Sequence, residues 1–130
     1  MSIAEAKRVL LLDTEDIIRE VIQLCLETQA GWQVLPAASV QEGMAIAETE
    51  PIDLVLLDLD GMMSDIEWSA ILQRLQNNPT TQHIPVILLT TTAPPKELEG
   101  ATAGVKASIV KPFDLLVLAG QVAAILGWNG

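Results

Sequence analysis

The 130-residue chain holds no tyrosine, one phenylalanine, one cysteine and one histidine. A single cysteine excludes an intrachain disulfide and suits a reducing compartment. A single histidine excludes metal centres built on several imidazoles. Basic residues are scarce: seven Lys and Arg against 17 Asp and Glu leave a formal charge of −10. A polyanion is repelled by that balance on average, so nucleic acid is not an expected partner. Half the residues are hydrophobic, yet no uninterrupted apolar run approaches the roughly 18 residues of a membrane span. The run from Val9 to Leu12 is too short for a signal-peptide core and stops at Asp13. Linkers, repeats and low-complexity tracts are missing too. These absences leave one cytoplasmic domain over residues 1–130, with a large core and no membrane contact.

What is present alternates. Val9–Leu12, Ile52–Leu57 (broken only by Asp53) and Ile84–Leu89 are short apolar runs, ended by Asp13, Asp58 and Thr90. Runs of this kind suit strands buried on both faces of a parallel sheet. Trp32–Leu35 and Ala107–Val110 are weaker strand candidates. Between them lie helical stretches. Ile18, Val21, Ile22 and Cys25 give an apolar stripe at helical spacing over 15–29, which would bury the thiol. Ser39 with Glu42 forms a capping box for a helix over 40–49. Trp68, Ile71, Leu72 and Leu75 repeat the stripe over 66–77, Pro95 opens a short helix over 95–103, and a last helix spans 114–126. Strict βα alternation with right-handed crossovers gives an α/β fold, a doubly wound parallel sheet with helices on both faces. Five strands suit the flavodoxin-like (βα)5 order 2-1-3-4-5.

In such sheets, ligands bind at the carboxyl ends of the strands. Those ends carry Asp13, Asp58, Thr90 and, after the fifth strand, Lys111. Two carboxylates brought together call for a cation, and a hard dication such as Mg²⁺ prefers oxygen ligands. A phosphoryl group on a carboxylate needs metal, ammonium and hydroxyl around its oxygens. The constellation therefore points to Mg²⁺-assisted phosphoryl transfer onto an aspartate.

Four segments in order, Lys7–Asp13, Asp53–Asp58, Ile84–Thr90 and Lys111-Pro112-Phe113, make the chain similar to receiver domains of two-component response regulators. The resemblance covers about residues 7–127. It implies that Asp58 accepts the phosphoryl group, Asp13 belongs to the acidic pocket, Thr90 is the switch hydroxyl and Lys111 contacts the phosphate. It implies a cis Lys111-Pro112 bond. It also implies a sensor histidine kinase or phosphotransfer protein as donor, a place in a phosphorelay, and no activity beyond the domain's own phosphorylation and dephosphorylation.

Three departures stand out. The family's second acid after the first strand is Thr14 here, which weakens the expected Mg²⁺ site and leaves Thr14 to cap the helix starting at Glu15. Ser108 stands where the fifth strand carries an aromatic switch residue in the family. Asp60, two residues past Asp58, has a carboxylate able to replace the missing one, giving Asp13, Asp58 and Asp60 as metal ligands. Asp58-Leu59-Asp60-Gly61 also resembles the haloacid-dehalogenase phosphatase motif, but that motif follows a first strand, not a third. From Leu115 to Trp128 there is one strongly polar side chain, Gln121, so residues 114–128 either pack deeply or form a homodimer or partner surface. The chain runs only two residues past Trp128, and a single-domain regulator signalling to a downstream protein by contact is expected. The competing reading is a pseudo-receiver, a binding module that works without phosphorylation.

Overall fold

The three strong apolar runs form the middle of one parallel sheet. The structure, a computed structural model, describes residues 6–59, 65–90, 105–110 and 114–128, the side chains of 65–68 excepted. Strands β1 (Arg8–Leu12), β2 (Gln33–Ala37), β3 (Leu54–Asp58), β4 (Val86–Thr90) and β5 (Val105–Val110) pair in the order β2-β1-β3-β4-β5. Helices α1 (Asp16–Ala30), α2 (Val40–Thr49), α3 (Asp65–Asn77) and α4 (Leu118–Leu126) pack on the two faces. The expected helix over 95–103 lies outside the described residues.

Residue alternation divides the sheet between two cores. Leu10, Leu12, Val55, Leu57, Val86 and Leu88 meet Met44 and Ala47 of α2 and Ile71, Leu72 and Leu75 of α3. Val9, Leu11, Leu54, Leu56, Ile87 and Leu89 meet Ile22 and Leu26 of α1 and Leu118, Ala119 and Val122 of α4. Each leucine so buried contributes about 1.5–3 kcal/mol relative to exposure. The weak strands are the two edges. β2 tolerates Pro36 because an edge strand has one side without a ladder partner. β5 exposes Lys106, Ser108 and Val110, and its register with β4 shifts between Val86 and Ile87.

Several local details differ from the sequence pattern. α1 buries Ile22 and Leu26, while Cys25 is only half-buried and Ile18 and Val21 face partly outward. The helix starts at Asp16 with Glu15 as N-cap. The Glu15 amide is taken by the Asp13 carboxylate at 2.8 Å, and Thr14 stands one residue before the N-cap. The last helix starts at Leu118, not 114, because Asp114 builds a turn: its carboxylate accepts from the Leu116 amide at 2.8 Å and its carbonyl from Val117 at 3.0 Å. β3 starts at Leu54, since Asp53 turns its carboxylate onto the Arg8 amide at 2.8 Å. The Ser39 cap holds as expected, accepting from Glu42 at 3.1 Å. Gly43 lets α2 approach the end of β1: a Cβ there would lie 2.5 Å from Leu12 Cδ1. Trp68 falls among the side chains outside the described set.

Candidate functional site

Among the described residues, four polar side chains are buried: Asp13, Asp58, Thr81 and Thr90. Thr81 has a structural partner, donating to the Leu75 carbonyl at 2.8 Å to close the turn after α3. The other three gather at the carboxyl edge of the sheet. The register explains why. β1 and β3 pair through Leu12 and Leu57, so Asp13 and Asp58 follow on neighbouring strands. Asp58 pairs with Leu89, which puts Thr90 one residue further along the next strand, opposite Val110.

Asp13 is held from several directions. Its amide donates to the Ala37 carbonyl at 3.1 Å, its Oδ1 accepts from Glu15, and its carbonyl accepts from Arg19 Nη1 at 2.8 Å. Arg19 Nη2 also bonds Asp16 Oδ1 at 2.7 Å. Arg19 was invisible to pattern reading: an arginine on a helix normally marks a solvated face, and its partner here is a backbone carbonyl six residues back.

Two buried carboxylates at strand spacing, roughly 5 Å, repel by roughly 3 kcal/mol at an effective dielectric constant near 20. A dication among their oxygens offsets that repulsion, so the donor set fits a hard metal such as Mg²⁺. No third His, Cys, Asp or Glu joins them among the described residues. Asp60 and Lys111, with the Lys111-Pro112 bond, lie outside that set. Thr14 is half-buried beside Asp13. Ser108 is exposed on β5, paired with Leu88.

A groove of about 1000 Å³ lies at the opposite end of the sheet between Arg8, Gln33, Glu50, Asp53 and His83. Arg8 there bonds Glu50 at 3.3 Å and Gln33 at 3.1 Å. Its charges are largely matched to each other, and it is remote from the buried acids. Among the described residues, apolar side chains are exposed along α1, at Ile17 (76%), Leu24 (62%) and Val21, and around α4 and β5, at Leu116 (81%), Val117, Ile125 and Val110. Among the described residues no helix is long and apolar enough to cross a membrane.

A five-stranded doubly wound sheet with buried acids at the β1/β3 switch point places the candidate site where folds of this class bind ligands. The chain belongs to the response regulator receiver domain family, whose model matches residues 9–123. It is 31% identical over 92% of its length to the DNA-binding dual master transcriptional regulator RpaA of Synechocystis sp., covering 48% of that protein. It is 32% identical over 95% of its length to the phosphate regulon transcriptional regulatory protein PhoB of Pseudomonas aeruginosa, covering 53% of it. The chain thus spans about half the length of these regulators. Among solved structures, chemotaxis protein CheY4 of Vibrio cholerae matches at 25% identity and TM-score 0.80, over 93% of this chain and 99% of that one. A CheY-like receiver domain protein of Methanospirillum hungatei matches at 27% identity and TM-score 0.79, over 95% of each. Receiver domains exchange phosphoryl groups with histidine kinases or phosphotransfer proteins and typically bind Mg²⁺ at the phosphorylation site. They are signalling modules, which sets aside the phosphatase resemblance.

Proposed function

We propose that Asp58 is the phosphoacceptor, that Asp13, Asp58 and Asp60 hold Mg²⁺, and that Thr90 and Lys111 contact the incoming phosphoryl oxygens. The observation that carries this reading is the burial of two carboxylates on neighbouring strand ends, with only Thr81 and Thr90 as further buried polar side chains among the described residues. Bound there, Mg²⁺ would offset charge on the phosphoryl oxygens. Asp58 presents the attacking oxygen, Thr90 offers a hydroxyl donor and Lys111 a compact positive charge. With Thr14 in place of the family's second acid, the third carboxylate has to come from Asp60, and Mg²⁺ binding is weak without it. The test is an amide chemical-shift titration with Mg²⁺ and then beryllofluoride, which mimics a phosphoryl group on a carboxylate. Shifts at Asp13, Asp58 and Thr90 support the reading. A protein unmoved at millimolar Mg²⁺ is the phosphorylation-independent binding module instead.

The donor is a cytoplasmic histidine kinase or phosphotransfer protein. The stripe of Ile17, Val21 and Leu24 runs along α1 from the helix end that adjoins Asp13, flanked by Asp16, Glu20 and Glu27. It fits a partner helix with an apolar centre and basic flanks. Leu24→Asp should slow phosphotransfer from a protein donor by about tenfold, the scale of one lost anchor. Uptake from a small phosphoramidate should stay at the wild-type rate. Equal slowing with both donors would remove the docking role.

Output runs through protein contact, with Leu116, Val117, Ile125 and Val110 as the surface that a second copy or a downstream protein covers. Two copies at −10 each repel, so a homodimer through 114–128 should strengthen with added salt. Sedimentation should show this, and Ile125→Asp should abolish it. A monomer at every salt concentration would eliminate the homodimer.

A further inference from the structure

We propose that Arg19 is a positioning residue for the acidic pocket, a role that rests on the phosphoacceptor reading above. Arg19 is on the first turns of α1, yet its side chain is only 15% exposed. Its guanidinium forks between two ends of the same loop. Nη1 donates to the Asp13 carbonyl at 2.8 Å, and Nη2 to the Asp16 carboxylate at 2.7 Å. The loop between those contacts holds Asp13, whose Oδ1 accepts from the Glu15 amide. The Glu15 carbonyl in turn accepts from the Arg19 amide at 2.9 Å. The arginine therefore closes a ring of bonds around residues 13–16 and fixes the backbone from which the Asp13 carboxylate projects.

A cation near a metal site also opposes a second cation. Here Asp16 pairs with the guanidinium at 2.7 Å, which cancels most of its field while leaving its hydrogen-bond geometry intact. Orientation outweighs repulsion on that account. Partners that orient a metal ligand typically change affinity about tenfold or more when removed. With only Thr14 where a further acid would help, the site depends more heavily on Asp13 being held in place. A planar fork suits the task, since a lysine reaches only one of the two acceptors at a time.

The test uses the full chain and two readouts. Without metal, hydrogen exchange at the Glu15 amide should accelerate about tenfold in Arg19→Ala, as a charge-assisted tie on the loop is lost. With metal, the Mg²⁺ dissociation constant should rise about tenfold, and Arg19→Lys should fall between wild type and alanine in both. A lower urea midpoint with both readouts unchanged would reduce Arg19 to a structural role and overturn the proposal. Tighter Mg²⁺ binding in Arg19→Ala would overturn it as well, making the arginine a competing charge. If the alanine variant does not fold, Arg19→Lys decides by the same readouts. If wild type binds no Mg²⁺, the phosphoacceptor reading fails by itself, and the Glu15 amide still decides whether Arg19 positions Asp13.

Discussion

In Asp58→Asn, phosphoryl uptake and the beryllofluoride response should both vanish while the fold survives and becomes more stable. The amide has the shape of the carboxylate, and the site is wholly buried, so no cavity opens. What is lost is the charged oxygen. With a small phosphoramidate as donor, an Asp58 oxygen would form the new P–O bond as the P–N bond breaks and ammonia leaves. An amide oxygen is too weak a nucleophile for that step. Intact-mass measurement should show one added phosphoryl group on the wild type and none on the variant. Removing one of two neighbouring negative charges should also raise metal-free stability in urea by about 1 kcal/mol, a fraction of the roughly 3 kcal/mol repulsion of two such charges at strand spacing. The extra stability that Mg²⁺ gives the wild type should disappear in parallel. A phosphorylated asparagine variant would place the acceptor elsewhere. A variant less stable than wild type would mean that the contacts of the Asp58 carboxylate outweigh its repulsion of Asp13.

The central strands were readable because β1, β3 and β4 are buried on both faces, so their sequences are continuous apolar runs with a polar stop. Those stops, Asp13, Asp58 and Thr90, became candidates for the same reason, since strand order alone brings strand ends together. The edges were weaker signals: in β5 only Ile109 is fully buried, and Lys106, Ser108 and Val110 face solvent. In α1, apolar residues occupy most of the circumference. Periodicity identified a helix but not which side meets the sheet, and Ile22 and Leu26 took the core position. Thr14 is a good capping residue by type, but the helix begins one residue later, with Glu15 as N-cap and its amide held by the Asp13 carboxylate. Where a helix starts is set by the loop before it, which residue type alone does not rank. Arg19 and the Arg8–Asp53 contact join residues to backbone groups across a loop or a strand, and no spacing rule encodes such pairs.

Trp128→Ala should cost about 2–4 kcal/mol, one of the largest stability losses available outside the central strands. The reason lies in how the chain leaves α4. Gly127 adopts φ 71°, a left-handed conformation that glycine takes without penalty. The turn lets the Trp128 amide donate to the Ala123 carbonyl at 2.8 Å. The indole then meets Trp32 edge-on, with ring centroids 5.2 Å apart and planes at 89°. Lys7 Nζ lies 4.9 Å from the Trp128 ring centroid. One side chain thus ties the end of α4 to the residues that lead into β1 and β2. The midpoint of thermal unfolding should fall by roughly 10 °C for a domain of this size. Trp128→Phe should recover most of the loss, because ring packing is the larger part. Lys7→Ala should cost about 1 kcal/mol or less, the scale of an exposed cation–π contact. An alanine variant within about 0.5 kcal/mol of wild type would show that the aromatic pair adds nothing beyond ordinary surface packing. The latch closes the amino-terminal end of the sheet, whereas Asp13 and Asp58 occupy the carboxyl end. Below its lowered midpoint the variant should therefore respond to beryllofluoride as wild type does, which separates the strength of the fold from the chemistry that the fold positions.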